Sequence, residues 1–301
     1  MPSTTRTYSS IQRKYFTFCQ KYGLIPLPAS EMHILRFIAY ISETVSFNSM
    51  QVYLAAIRAL HVYQNLPVPL LTTPRIQLAL KSLSHHAPEV KQALPITFAI
   101  MQGFRSLLAH TMEDMSLWTC MTVLFFGCRR AGEIAPSNEQ MSMGFKYPRV
   151  CDLAFSPNPP AAILTISRTK TQPKGFTLVL GCSGSDICPY CALVKYLSAR
   201  GITDTQVNPG PLFVLNDGSP LNKDYLMSRQ KVLLHTLGIN SKGFTPHSYR
   251  SGGATQLALN GVSEFWVQKS GQWKSMCYRR YIRESITTQA GLTRLFVPPS
   301  S

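Results

Sequence analysis

Over the first 88 residues, apolar positions recur every three or four residues. "TRTYSSIQRKYFTFCQKYGL" carries apolar and aromatic residues at helical spacing and ends at a glycine, as a helix terminus should. "ASEMHILRFIAYISETV" and "NSMQVYLAAIRALHVYQNL" repeat the pattern, each preceded by a Ser or Asn able to cap, and "PRIQLALKSLSHH" predicts a fourth helix. Residues 1–88 are therefore expected to form a helical domain with short loops. "HHAPEVKQALPIT" then breaks the period with two prolines among polar residues, which places a linker at residues 89–96.

Residues 97–301 have a different texture. The helical runs "TFAIMQGFRSLLAHT" and "MSLWTCMTVLFFGCRRAGEIA" precede two arms with a period of two, "AILTIS" and "FTLVL". A Lys/Gln/Pro/Gly turn joins the arms, so the segment reads as a hairpin with Arg168, Lys170 and Lys174 near its tip. Helical patterning resumes at "SGSDICPYCALVKYLSARG", and no internal repeat is visible. The expected fold class is mainly α: an N-terminal helical domain, then a mostly helical domain with a small antiparallel β-sheet.

Charge narrows the choice of partner. With 30 Lys and Arg against 14 Asp and Glu, the formal net charge is +16, a field that attracts polyanions. Nucleic acid is the expected partner and membrane is not: no apolar run reaches the roughly 18 residues a span requires. The opening "MPSTTRTYSSIQRKY" has no apolar stretch of the kind a secretory leader carries. The eight cysteines accordingly read as reduced thiols of the cytosol or nucleus. Cys182, Cys188 and Cys191 stand close in sequence, the last two as CxxC, but no fourth ligand is evident. A zinc site is the open alternative; the expectation is no metal, with Cys191 beginning the buried face of the helix "CALVKYLSARG".

Candidate chemistry collects in four places. "FFGCRRAGEIAP" sets Arg130 one turn before Glu133, so the carboxylate can orient a guanidinium fork that binds phosphate. Lys170 sits at the hairpin tip. "FTPHSYRSGGATQLALNGV" puts His247 three residues before Arg250 at a helix entrance, on one face, where free N–H groups favour an anion. "SGQWKSMCYRRYIRESI" brings Trp273, Tyr278 and Tyr281 among cationic residues. Each motif alone has a plain structural reading: a surface ion pair, a turn lysine, a solvated His and Arg, an amphipathic packing helix.

In order, Arg130, Lys170, His247, Arg250, Gln272 or Trp273, and Tyr281 resemble the catalytic series of the tyrosine recombinases, the phage-type integrases. The resemblance spans the whole chain, beginning with a core-binding (SAM-like) helical domain. It rests on "CRRAGEI", "RTKTQPKG", "HSYRSGGATQLALNGV" and "SGQWKSMCYRRYIR". "FFGC" before the first arginine and the "CPYCALVKYL" segment look most like recombinases of eukaryotic Crypton or DIRS-type mobile elements, which implies a nuclear protein. One position departs from the pattern. The family usually has His or Trp directly after the glycine of the last box, nine residues before the nucleophile, and here Gln272 occupies that place. Trp273 fills the role through a one-residue shift, or Gln272 donates the hydrogen bond itself; Trp273 is preferred, because its indole N–H is an obligate donor.

The resemblance implies DNA cleavage by Tyr281 through a 3′-phosphotyrosyl link, with Arg130 and Arg250 on the non-bridging oxygens. His247 takes or shares the phenol proton and Lys170 protonates the leaving 5′-oxygen. It further implies no cofactor, no metal and no ATP, and a chain that is a monomer or weak oligomer when free. The working unit is a homo-tetramer on two duplexes, with the tail "ESITTQAGLTRLFVPP" docking on a neighbour. In the first domain, "SFNSMQVYLAAIRALH" is the expected DNA-facing helix, with Asn48 and Ser49 at its start and Arg58 further along. The small residues Ser251, Gly252, Gly253 and Ala254 are expected to let DNA and neighbouring helices come close. The rival readings are a silent or host-captured DNA-binding protein of the same fold, and a type IB topoisomerase-like enzyme.

Overall fold

Aromatic residues at helical spacing draw the first helices together. Tyr15 and Phe18 of α1 (Pro2–Lys21) meet Phe37 of α2 (Glu31–Ser42), with the Tyr15 and Phe37 rings edge to face at 5.1 Å. Leu54 and Ile57 of α3 (Phe47–Tyr63) and Ile76 and Leu80 of α4 (Pro74–His85) close this core. The computed structural model describes residues 2–69, 71–87, 92–108, 111–142, 144, 146–167 and 173–282. The chain divides into two units, Met1–Val90 and Lys91–Ser301.

In the first unit, Ser30 caps α2 by accepting from the His33 N–H at 3.2 Å. Ser46 and Thr73 hold the equivalent places before α3 and α4 without a capping bond, and Pro74 opens α4, where its missing N–H is harmless. Buried His61 is a structural tie. Its Nε2 accepts from the Ala29 N–H at 2.8 Å, so Nδ1 carries the proton and donates to the Ile57 carbonyl at 2.9 Å.

The second unit is built round α6 (Met112–Phe126), which is apolar on every side and buried from Ser116 to Phe125. A helix without a polar face has to be wrapped. It packs on α9 (Pro189–Ala199) and α11 (Ser248–Leu259), beside α5 (Phe98–Leu107) and α10 (Lys223–Thr236). Its Ser116 hydroxyl accepts from the Tyr196 phenol at 3.1 Å and the Val214 N–H at 3.0 Å, satisfying polar groups in the core. The helical run that continued through "FFGCRRAGEIA" is broken in two. The helix stops at Gly127, Cys128 takes a left-handed conformation (φ 50°), and α7 (Ala131–Ile134) starts afresh, followed by α8 (Asn138–Ser142).

The expected hairpin is present as β2 (Pro160–Ile166) and β3 (Phe176–Gly181), antiparallel with Ile166 opposite Phe176. Leu164, Ile166, Leu178 and Leu180 point into the core while Thr165, Thr177 and Val179 face out. A third strand, β1 (Leu153–Pro157), pairs with β2 and was not expected. It buries only Leu153, so no alternating signal marks it. Residues read as the end of the linker are hydrogen-bonded into this unit: the Leu94 N–H donates to Gly243 and the Ile96 N–H to Ser248. Among the described residues no helix is long and apolar enough to cross a membrane.

Candidate active site

The bend at Cys128 sends two adjacent arginines in different directions. Arg129 turns inward, 1% exposed, donating to the Gly127 carbonyl at 2.5 Å and the Ser270 carbonyl at 2.6 Å, with its guanidinium over the Phe176 ring. Arg130 stays at the surface as the residue capping α7, its side chain 32% exposed. Glu133 holds it twice. One carboxylate oxygen takes the Arg130 guanidinium at 2.8 Å and the other takes the Arg130 backbone N–H at 3.2 Å. The charge is thereby fixed in direction.

Helix α11 begins at Ser248, so the expected helix entrance is present, with His247 as the capping residue and Pro246 just before it. The turn is held by the Thr245 N–H on the Ser248 hydroxyl at 2.8 Å and the His247 N–H on the Thr245 hydroxyl at 3.2 Å. Arg250 lies one turn inside and is 2% exposed. It donates from Nη1 to the Cys128 carbonyl at 2.7 Å and from Nη2 to the Gly271 carbonyl at 2.9 Å, leaving its buried Nε without a partner.

Ser251, Gly252, Gly253 and Ala254 are all buried, so of the expected close approach by DNA and by neighbouring helices the fold shows the second and not the first. What approaches them is the protein's own backbone. A Cβ on Gly252 would run into the Ile96 carbonyl oxygen, and one on Gly253 into that of Phe125.

Helix α12 (Glu264–Gly271) ends with Gln272 in the left-handed region (φ 54°), which folds Trp273 back against Gly271. A Cβ on Gly271 would collide with the Trp273 ring. The indole is 6% exposed, and its Nε1 is buried without a hydrogen-bond partner. Gln272 instead reaches the Thr177 carbonyl on the sheet, at 3.4 Å. A 3-10 turn (Met276–Arg280) then delivers Tyr281. The Tyr281 carbonyl accepts from the Ser251 hydroxyl at 2.8 Å and the Thr255 hydroxyl at 3.0 Å, pinning this residue to α11.

These elements converge on one place. The Arg250 guanidinium sits 4.0 Å from the Trp273 ring centroid and 5.6 Å from that of Tyr281. The Tyr281 ring is 5.6 Å from Trp273 and 6.5 Å from His247. Tyr281 is half-buried, while Tyr278 is 1% exposed with its hydroxyl donated to Glu264 at 2.8 Å. Tyr249 is packed in the core under α6.

Positive charge dominates the field here. Desolvation first, then Arg130 and Arg129, pull the pKa of Arg250 down to about 10, so it remains charged at neutral pH. His247 keeps much of its surface open, yet the protein packed round its ring, followed by Arg130 and Arg250, lowers its pKa from the ordinary 6.5. Glu133 is the carboxylate that opposes these effects on both groups. Guanidinium groups that raise one another's energy gain most from an anion placed among them.

Arg130, Glu133, His247, Arg250, Trp273 and Tyr281 are thus brought together, with Gln272 at the edge facing the sheet. Lys170 and Arg168 lie outside the described residues, as does the tail after Ile282; Lys174 is exposed beside β3. In the first unit Asn48 and Arg58 are exposed on α3, and the half-buried Ser49 has its hydroxyl bonded to that of Ser46 at 2.9 Å. Sequence reasoning missed Arg129, Ser251 and Thr255. Only the kink at Cys128 distinguishes Arg129 from Arg130, and the two hydroxyls act on a carbonyl far along the chain.

No protein-family model matches the sequence, and no curated protein matches it. Solved structures match the fold. XerH site-specific recombinase bound to palindromic difH substrate, a post-cleavage complex, has a TM-score of 0.64 at 16% identity, covering 96% of this chain and 77% of that one. The Tn1549 transposon integrase in complex with a circular intermediate DNA has a TM-score of 0.62 at 14% identity, covering 99% and 94%. A lambda integrase dimer bound to a COC′ core site has a TM-score of 0.59 at 14% identity, covering 94% and 89%. The mainly helical chain with its small three-stranded antiparallel sheet has the tyrosine recombinase catalytic-domain fold.

Proposed function

We propose that this protein is a site-specific DNA recombinase that cuts and rejoins DNA through Tyr281, serving integration or excision of a mobile element. The observation that carries the reading is the placement of the Tyr281 phenol ring beside the buried Arg250 guanidinium and the His247 imidazole.

A phosphodiester is the ligand this arrangement suits. Arg250 and Arg130 take the non-bridging oxygens, and Trp273 offers its unpartnered indole N–H to the same group. Tyr281 Oη attacks phosphorus, its proton passes to neutral His247, and the bond from phosphorus to the 5′-oxygen breaks. Lys170 returns a proton to that oxygen. A phenol with a pKa of about 10 needs a base at neutral pH, and a histidine held below 6.5 is unprotonated and able to serve. The phosphotyrosyl link keeps the phosphodiester energy, so a 5′-hydroxyl from a second strand reverses the step and joins new partners. A homo-tetramer on two duplexes performs the exchange, with Asn48, Ser49 and Arg58 meeting the backbone through the first unit, and Arg168 and Lys174 through the hairpin.

The test uses duplexes selected by the protein from a random library, rebuilt with a nick so that cleavage releases a short fragment and traps the covalent complex. A protein–DNA adduct stable to boiling in detergent is expected. Tight binding with no adduct on any selected duplex defeats the proposal in favour of a silent DNA-binding protein. Relaxation of plasmids that lack the selected sequence would instead identify a topoisomerase.

A further inference from the structure

We propose that Cys182, Cys188 and Cys191 form a structural zinc site that staples the end of β3 to the first turn of α9. It lies apart from the residues assigned to recombination and departs from the sequence expectation of no metal.

The three sulfurs are already gathered. Cys182 immediately follows β3, Cys188 caps α9, and Cys191 lies in the first turn of that helix. The Cys182 Sγ is 3.8 Å from that of Cys188 and 3.9 Å from that of Cys191, and all three lie within 4.8 Å of one another. A tetrahedral ion with metal–sulfur bonds of about 2.3 Å sets its ligand sulfurs about 3.8 Å apart. Two of the three edges therefore have the required length, and the third needs only a small closing movement.

The surroundings also suit thiolates. Cys188 Sγ accepts the Ser183 N–H at 3.3 Å and the Cys191 N–H at 3.4 Å, the backbone donation that orients and stabilises a metal-bound sulfur. A disulfide is the rival use of such a cluster, but it joins two sulfurs and leaves a third idle. Here Cys182 is nearly equidistant from the other two, an arrangement that serves a shared ion. Soft thiolate ligands in a tetrahedral disposition select zinc. Cys182 is exposed, Cys191 partly so and Cys188 buried, which leaves the fourth position facing solvent, to be filled by water. Such an ion joins the sheet edge to a helix that packs against the central α6. Its loss is expected to loosen the second unit and leave the recombination chemistry itself in place.

The test uses the full chain, expressed with zinc in the medium, purified under reducing conditions and dialysed against metal-free buffer. One zinc per chain is expected by elemental analysis. Exchange with Co²⁺ should give the intense visible bands of a tetrahedral thiolate complex, saturating at one ion per chain. Cys182→Ser with Cys191→Ser should abolish both signals, while Cys277→Ser, at an exposed cysteine outside the cluster, should keep them. A zinc chelator should lower the Tm of the wild type and leave that of the double variant unchanged. Metal-free wild type that takes up no Co²⁺, or a disulfide between two of the three cysteines mapped in protein purified without reductant, overturns the site. Should the double variant fail to fold, the metal content and cobalt spectrum of the wild type decide alone.

Discussion

The guanidinium of Arg250 rests on the ring of Trp273, 4.0 Å from its centroid, while its two terminal nitrogens bind the carbonyls of Cys128 and Gly271. One planar cation thereby ties the α6–α7 bend to the end of α12. Lysine carries the charge but has neither the fork to span two carbonyls nor the plane to stack. Arg250→Lys should cost about 1–3 kcal/mol of stability through a buried carbonyl left unpaired. It should also slow cleavage by roughly 10²–10³-fold through the lost oxyanion donor. Thermal melting and adduct formation measure the two effects separately. An unaltered cleavage rate would remove Arg250 from the chemistry and leave it a purely structural tie.

Tyr281→Phe should abolish the covalent adduct without weakening DNA binding, because the ring contacts with Trp273 and His247 survive the loss of the hydroxyl. Tyr278→Phe should keep the adduct and lower the Tm, since its hydroxyl ties the 3-10 turn to Glu264, which also holds Arg279. Peptide mapping of the trapped complex decides between the two tyrosines. An adduct on Tyr278 would mean that the turn shifts on DNA.

The helices of both units were legible because their apolar periods are strong, and the hairpin because its arms alternate. The break at Cys128 was not legible: a left-handed residue other than glycine leaves no mark in composition, so one helical run was read where two helices stand. Strand β1 was hidden by its exposure. The six residues that meet in the site were individually visible through motif resemblance, since Arg, His and Tyr at those spacings have few other reasons to recur together. The supports were invisible, because they are carbonyls and hydroxyls, Gly271 and Cys128 under Arg250 and Ser251 and Thr255 under Tyr281. Such groups are defined only by who comes near them. The glycines after Arg250 show the same limit: the sequence marked a close approach, and only the fold named the approaching atoms.

Gly252→Ala tests that approach. The added methyl meets the carbonyl of Ile96, a residue whose own N–H is bonded to the Ser248 carbonyl of the same helix, so neither side can yield cheaply. Overpacking of this kind costs about 1–3 kcal/mol or more. A clear fall in Tm is expected with DNA affinity per folded molecule unchanged. Wild-type stability with weakened DNA binding would restore the idea that this surface faces DNA.

The pH dependence of cleavage should follow His247. Desolvation and the positive charges of Arg130 and Arg250 all disfavour the protonated ring, so more acid is needed to protonate it than the ordinary 6.5 implies. The sign is therefore fixed: at pH 7 the base is already free, and kcat/KM falls only as pH drops below 6.5. Because kcat/KM reports ionisations of the free enzyme, the bound phosphate does not obscure this limb. His247→Gln keeps a polar side chain but cannot take the proton, and should slow cleavage by roughly 10²–10⁴-fold while removing the acidic limb. Single-turnover cleavage of the nicked duplex at sub-saturating protein, where the rate reads kcat/KM, between pH 5 and pH 8 in both proteins provides the comparison. An inflection above 6.5, or one that persists in His247→Gln, would assign the proton to another group.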